Sequence, residues 1–552
     1  MDNYAIAAQF SLLARLMDIH GENPFKSKSY ASAAFALEKM EVEVETLEPA
    51  AVAAIRGIGQ SVAGKVNELI GTGKLAALDE LISQTPPGVL EMLNIKGLGP
   101  KKIHTLWKEL HIDTLNSLQD ACRNGRIAAT KGFGEKTQDK ILEAIQFHKS
   151  NSGKFVYAQV EAFATAIQAK LEQHFPGHRH ALTGPFRRQC EVINELEWVS
   201  TIGVREAKRF FEGEAFTLVS ESNEWVEFQS GEGLMLRIHF SDGDRFGATL
   251  FATTGSEAFT LAWKNAGHAV SGIDEETIFQ NAAMDFIPPY LRENESVLAR
   301  AQAHALPRPI QVEDIRAVIH AHSNWSDGAH TLAEMAHELI RQGYEYLVIS
   351  DHSRSAYYAN GLDETRIRAQ HKEIDALNAR LAPFKIYKSI ECDILSDGTM
   401  DYPDEVLASF DLVIASIHSN LDMPLEKAMM RLMGAINNPY VRIMGHLTGR
   451  LLTRRKGYPV DHEAIIDACA EKGVAIEINS SPVRLDMDWR YVDYALQKGV
   501  LLSINPDAHS FEDLHNLKYG VKVAQKGGLT KERNISSFTR EEFEAFLSKK
   551  RS

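Results

Sequence analysis

The sequence predicts a multidomain chain: a helical front, a mixed α+β middle and a parallel β/α barrel at the back. Three features carry this prediction. A length of 552 residues exceeds what one hydrophobic core accommodates and implies three or four domains. A glycine pattern recurs through the first 150 residues. From about residue 314, short apolar strands alternate with helices.

The front reads as short helices broken by glycine. "YAIAAQFSLLARLMDIHG" carries apolar residues at helical spacing and stops at Gly21. Then "AIRGIGQSVAGKV" (54–66), "NIKGLGPKKIHTL" (94–106) and "ATKGFGEKTQDKI" (129–141) each set two glycines just ahead of an amphipathic helix. Paired glycines let the backbone turn tightly, and the free N–H groups at the helix start suit a phosphate oxygen. Gly57 with Gly59 and Gly97 with Gly99 stand in matching context, and Gly132 with Gly134 is a weaker copy. Lys65, Lys96, Lys101 and Lys102 add charge where a phosphate backbone would lie. Such contacts position a protein on DNA without reading bases. Residues 151–300 mix strand-like and helical segments, "GLMLRIHF" (233–240) being strand-like, and a Pro-punctuated linker follows at 301–313.

Composition is that of a globular protein, 44% hydrophobic and 24% charged. No apolar run approaches the roughly 20 residues of a membrane span. The acidic, amphipathic N-terminus is unlike a signal peptide. Four scattered cysteines (Cys122, Cys190, Cys392, Cys469) have no paired spacing, which points to a reducing compartment. A cytoplasmic, nucleoid-associated monomer is the expectation. The net charge of −14 argues against unspecific polyanion binding, so DNA contact is expected only at the glycine repeats.

In the barrel, the strands are "YEYLVIS", "FKIYKSIECDI", "FDLVIASIHS", "VRIMGH", "GVAIEINS" and "GVLLSINPDAHS". Polar residues stand at nearly every C-terminal end, where α/β barrels place chemistry. "AVIHAHSNWSDG" (317–328) adds two histidines at i and i+2, which share a face if the segment is a strand. His320, His322, Asp327, His352, Glu391, His418, His446, Asp507 and His509 are all hard or borderline N/O donors. That set suits clustered divalent ions: Zn, Mn or Fe for the imidazoles, harder ions for the carboxylates. Clustered ions generate hydroxide at neutral pH and clamp the oxygens of a phosphoryl displacement.

Residues 314–552 resemble the PHP (polymerase and histidinol phosphatase) family. The motifs are "HAHSNWSDG", "SDHS", "ECDILSDGTMDYPDE", "ASIHSN", "MGHLTGR", "EINSSPVRLD" and "PDAHS". The resemblance implies a distorted β/α barrel holding three metal ions for phosphoester hydrolysis. It implies one ion on His320, His322, Glu391 and Asp507, and a second on Glu391, His418 and His446. The third would lie on Asp327, His352 and His509. None of the nine positions departs from the family pattern, and Glu391, His418, Asp507 and Asp327 are the residues expected to carry the chemistry. Asp351 would either orient His352 or serve as a buried structural carboxylate. Arg450, Arg454, Arg455 and Arg484 would either grip phosphate or remain solvated.

The first 300 residues resemble family X DNA polymerases. The carriers are "GENPFKSKSYASAAFALE", "LTGPFRRQCEVINELEWV" (182–199), "FATTGSEAFT" (251–260) and "TIFQNAAMDFIPPYLRENE" (277–295). Together with the barrel this is the bacterial two-part architecture. It implies a lyase-like helical domain (1–80), a fingers-like domain (81–150), a nucleotidyltransferase-like palm (151–240) and a thumb (241–300). The departures lie in the palm. The family's aspartate pair falls on Glu195 and Glu197, its third Asp on Met235, and the phosphate-loop Ser on Pro185; Gly184, Arg187 and Arg188 remain. Glu reaches about 1.5 Å farther than Asp, and the Met thioether is a poor Mg²⁺ ligand. Glu195 and Glu197 either still hold one ion or mark a retired site kept as a DNA scaffold. Lys65 aligns with the family's lyase nucleophile, with a phosphate contact as the plainer reading. The expected function is DNA repair by Mn²⁺-dependent (alternatively Zn- or Fe-dependent) 3′→5′ exonuclease, 3′-end or abasic-site processing on gapped, nicked or 3′-ended DNA. The rivals are a gap-filling polymerase using Mg²⁺ and nucleotides, a non-catalytic DNA-end scaffold, and a small-molecule phosphatase.

Overall fold

The computed structural model describes residues 1–40, 42–212 and 216–549. It divides into two compact units, Met1–Ser152 and Gly153–Ser552. Among the described residues, no helix is long and apolar enough to cross a membrane.

The first unit is helical. One apolar core runs from Ile6 to Ile145, across residue 80. Each glycine repeat is a turn between helices. Gly57 and Gly97 adopt φ of 97° and 88°, a left-handed conformation that L side chains adopt only with strain. Gly59 then caps helix Gln60–Thr72, and Gly99 caps Pro100–His104. The third copy differs: Gly134 caps Glu135–Asn151 with φ of 103°, where Gly59 and Gly99 have −83° and −80°.

In the second unit the chain forms fourteen strands among its described residues. A short antiparallel pair, β1 (Phe155–Val156) and β3 (Val192–Ile193), precedes a five-stranded sheet. That sheet has the order β2-β4-β7-β6-β5, from β2 (His180–Thr183), β4 (Glu195–Ser200), β5 (Phe216–Glu221), β6 (Trp225–Ser230) and β7 (Met235–Phe240). Its neighbours are antiparallel except β4 and β7, which run parallel. One face is apolar through Leu196, Trp198, Val226, Phe228, Leu236 and Ile238. The other carries Glu195, Glu197, Glu227, Arg237 and His239. A separate aromatic core around Phe251, Phe259, Trp263 and Phe279 follows.

The predicted barrel is formed by seven parallel strands in sequence order. They are β8 (Ala317–Ala321), β9 (Tyr346–Ile349), β10 (Lys385–Asp393), β11 (Leu412–Ser416), β12 (Val441–Met444), β13 (Ala475–Asn479) and β14 (Leu502–Asn505). The segment after β14 returns to β8: His322 N donates to Ala508 O (2.8 Å) and Ala508 N to His320 O (3.3 Å). Strands buried on both faces must be apolar on both. Alternate residues Val318, Leu347, Ile386, Val413 and Ile476 join the helices, while Ala317, Ile319, Tyr346, Val348 and Ile414 face inward. The inward layer is closed by the C-terminal helix Arg540–Ser548, whose Phe543 ring lies 4.8 Å from Tyr346 and 4.9 Å from Tyr387. Phe543→Ala would leave a cavity inside the barrel and is expected to destabilise it by about 3–5 kcal/mol. Denaturant unfolding followed in the barrel checks this; a loss below about 1 kcal/mol would show that the helix is not a plug.

Candidate metal centre

The C-terminal ends of the barrel strands bring all nine expected ligands to one mouth. Their placement begins with a broken rule. His320 and His322 do not reach one side by simple alternation. The β8–β9 register shifts between Ile319 and Ala321, so His320 is a bulge residue with φ of 64°. A bulge re-aims a side chain, and strain of this kind, about 1–3 kcal/mol, persists where surrounding structure over-determines it. The two rings end 5.3 Å apart, both buried. Asp507, just past β14, also has positive φ (52°).

Glu391 on β10 is the centre. His446 Nε2 lies 2.9 Å and His418 Nε2 3.2 Å from its Oε1, and the two Nε2 atoms are 3.2 Å apart. His320 Nε2 lies 3.3 Å from Oε1, and His352 Nδ1 2.9 Å from Oε2. His322 Nε2 is 3.2 Å from Asp507 Oδ1. Toward solvent, Asp327 Oδ1 lies 3.5 Å from His509 Nε2 and 3.7 Å from His352 Nε2. Three overlapping groups have ligand atoms within 4.8 Å of one another: His322, Asp327, His352 and His509; His320, His322 and Glu391; His352, Glu391 and His418. His322 and His352 thus each join two groups, a sharing that the one-ion assignments did not contain.

Two carboxylates that the sequence reading missed set the imidazoles. Glu477 Oε2 accepts from His320 Nδ1 (2.6 Å), and its Oε1 accepts from His446 N (3.0 Å). Asp393 Oδ1 accepts from His418 Nδ1 (2.5 Å). With an ion bound, each would hold the proton on Nδ1 and turn Nε2 to the metal as a donor. The signal for Glu477 lies in the motif "EINSSPVRLD", a carboxylate on a barrel strand whose end carries none of the nine donors. Asp351 takes the structural alternative: it accepts from Ser323 N (2.8 Å), Ser323 Oγ (2.7 Å), Ser326 Oγ (2.5 Å) and Gln370 Nε2 (2.6 Å), fastening the loop that carries Asp327. Two of the four arginines are consumed by structure. Arg450 binds Asp488 (2.7 Å) and Arg484 O (3.0 Å), and Arg455 binds Gly449 O (2.8 Å). Arg454 is exposed, and Arg484 Nε faces Asp507 at 3.6 Å.

The electrostatics are those of a buried site dense in charge. Burial and the neighbouring imidazoles of His509 and His352 push His322 down to about 3. Burial opposes charge on His418 too, but Glu391 and Asp393 overcome it and raise it to about 10. Burial would raise Glu391, yet His418, His320 and His352 hold it well below the usual carboxylate range. His320 Nε2, His322 Nδ1, His352 Nδ1 and Glu391 Oε2 are buried without a hydrogen bond. An unsatisfied buried polar atom costs about 1–3 kcal/mol. Imidazole nitrogens and carboxylate oxygens crowded together at about 3 Å are atoms that a divalent cation can bridge in place of protons, so the residues fit divalent metal ions.

The palm-like face is different. Among the described residues, every metal-capable group of three or more lies at the barrel mouth. Glu195 Oε1 faces Arg237 Nη2 at 3.3 Å, and Glu197 Oε2 pairs with His239 Nε2 at 2.8 Å. Met235 pairs in register with Glu195, and Arg237 with Glu197. Gly184, with φ of 63°, leaves room that Glu197 fills: a Cβ there would stand 2.1 Å from its Oε1. Arg187 is tied to Glu275 (2.6 Å), and Arg188 to Glu293 (3.2 Å) and Thr254 O (2.8 Å). In the first unit, Lys65 lies half-buried on its helix, Lys101 is exposed, and Lys102 Nζ folds back onto Gly97 O (3.1 Å).

Two expectations follow. Glu477→Gln should weaken Mn²⁺ binding by about 10–100-fold in calorimetric titration; unchanged affinity would remove its orienting role. Burial, then Glu197, raises Glu195 to about 7. An acid raised in the fold loses stability as pH climbs through its unfolded value near 4.3 and on to 7. Glu195→Gln should therefore match the parent near pH 4 and exceed it by about 1–3 kcal/mol above pH 7 in chelator-treated melts; a gain at low pH only would contradict this.

Comparison with known proteins extends over the same pieces. A helix-hairpin-helix domain family matches residues 1–75, and a SAM-like helix-hairpin-helix tandem matches residues 89–146, taking in the second and third glycine repeats. A protein named probable phosphatase from Thermoanaerobacter sp. (strain X514) is 26% identical over 40% of this chain and 89% of its own length. A probable phosphatase from Clostridium acetobutylicum is 30% identical over 28% of this chain and 67% of its own. The DNA polymerase/3′-5′ exonuclease PolX of Bacillus subtilis (strain 168) is 33% identical over 97% of this chain and 98% of its own. A match that runs through hairpins, sheet and barrel alike, nearly end to end in both proteins, leaves a single ancestry to explain the parts: this chain belongs to the PolX family of DNA polymerase/3′-5′ exonucleases.

Proposed function

We propose that the chain is a DNA-repair enzyme whose barrel hydrolyses phosphodiesters at DNA 3′ ends, while its hairpins hold the DNA. The carrying observation is the cluster of buried imidazole nitrogens and carboxylate oxygens around Glu391, with Asp393 and Glu477 bonded to the far nitrogens of His418 and His320. His320, His322, Glu391 and Asp507 would hold one ion, Glu391, His418 and His446 a second, and Asp327, His352 and His509 a third. Mn²⁺ is the first choice, with Zn²⁺ or Fe as alternatives. When bound, such ions supply hydroxide at neutral pH and neutralise charge on the phosphate. Arg484, beside Asp507 and partly exposed, is placed to meet a phosphate oxygen.

At the front, Gly57, Gly59, Gly97 and Gly99 open to solvent beside Lys65 and Lys101, where they would take backbone phosphates of gapped, nicked or 3′-ended DNA. The palm would act as a holder. Glu195 faces Arg237, which also pairs with Glu227, Glu197 bonds His239, and Glu197 fills the space at Gly184, so both carboxylates are engaged by protein groups. The second reading, a gap-filling polymerase using nucleotides, draws on the name of the Bacillus subtilis relative.

One gel separates the two. A labelled recessed primer–template is incubated with four nucleotides and Mn²⁺, beside His418→Ala. The primer is expected to shorten, and the variant to lose more than about 100-fold of that rate. A primer that lengthens, dependent on Glu195 and Glu197, would establish the polymerase reading instead.

A further inference from the structure

Two tyrosines that the hydrolytic reading does not use stand beside the mouth. Tyr357 and Tyr358 occupy the short turn Tyr357–Ala359 on the loop that follows His352. They are 86% and 65% exposed, their rings 6.0 Å apart at 78°. Two adjacent large rings left in water forgo the burial that usually places them.

The loop beneath them is fastened to the residues of the mouth. Ser353 N donates to Glu391 O (3.1 Å), Leu362 N to His352 O (2.9 Å), and Ser355 Oγ to Asp393 Oδ2 (2.6 Å). Asn360 Nδ2 reaches Trp325 O and Ser326 O (3.3 Å each), on the loop that carries Asp327. The rings are therefore held in register with the centre although they touch solvent. Arg354, on the same loop, is tied to Asp401 (Nε to Oδ1 3.4 Å, Nη2 to O 2.6 Å) and fastens the loop further.

A pre-positioned, exposed ring pair beside a phosphodiester-cutting centre matches one ligand chemistry. Nucleobases stack on aromatic rings whatever their sequence, while cations follow the backbone. A paired base has no free face to offer; an unpaired one does. Resting on the hydrolytic reading above, we propose that Tyr357 and Tyr358 form a stacking platform for unpaired bases at a DNA 3′ end.

The test uses the full chain, Mn²⁺ and a single-stranded oligonucleotide. The double variant Tyr357→Ala/Tyr358→Ala should raise KM by about 10–100-fold with kcat little changed, and Tyr→Phe at both positions should restore it. In a His418→Ala background, 2-aminopurine at the 3′-terminal position should be quenched on binding, and the quenching lost with both alanines. Unchanged KM, or quenching that survives both alanines, overturns the proposal. So does failure of the Phe variant, which would assign the hydroxyl rather than the ring, or a changed oligomeric state in the alanine variant, which would make the pair a protein contact. If the parent cuts no strand yet the quenching depends on the tyrosines, the hydrolytic reading fails and the platform stands.

Discussion

A buried carboxylate ringed by imidazoles is the constraint on which the barrel depends. Glu391 is fully buried, with His320, His352, His418 and His446 turned on its two oxygens. Taking a carboxylate out of water costs several kcal/mol, recovered only by charge and hydrogen bonds in good geometry. Everything nearby follows from that requirement. Asp393 and Glu477 orient the imidazoles, Asp351 pins the Asp327 loop, and the strained backbone at His320 and Asp507 aims donors inward.

The supports reach outward from this layer. Arg431, buried on helix Leu425–Asn437, donates to Ile394 O, Leu395 O (2.9 Å) and Ser419 O (3.0 Å). It so ties the end of the Glu391 strand to the segment carrying His418, with its charge spent on carbonyl dipoles. Below, Phe543, Tyr346 and Tyr387 fill the barrel with apolar rings. A dry base under a charged mouth lowers the local dielectric and strengthens each pair above it.

The palm-like sheet shows the opposite use of similar side chains. Its Glu195 faces Arg237, whose guanidinium also pairs with Glu227, and its Glu197 bonds the His239 imidazole, so each already has a protein partner. Its Arg188 is also held from the barrel side. Lys526, whose side chain is fully buried, donates to Arg188 O (2.8 Å) and pairs with Glu293, the partner of Arg188. Charges that close on one another stabilise a scaffold; crowded imidazole nitrogens and carboxylate oxygens offer a divalent cation atoms to bridge.

The sequence by itself determined the parts and their order. Glycine pairs ahead of amphipathic helices, and short apolar strands ending in His, Asp or Glu, are local patterns that chain geometry converts directly into hairpins and a barrel mouth. Eight of the nine expected donors stand at or just past a strand end, and strand ends converge in any parallel barrel; Asp327 lies on the loop after β8 and was read from its motif. Tertiary structure alone decided what surrounds them. The bulge at His320 depends on the register with β9, which no local spacing encodes. Glu477 and Asp393 look like ordinary strand residues until β13 and β10 bring them against His320 and His418. Arg450 and Arg455 read as phosphate ligands until the fold spends them on Asp488 and Gly449 O. Donor identity is a property of the residue; partner, protonation and exposure are properties of the neighbours, and those are set by contacts distant in sequence.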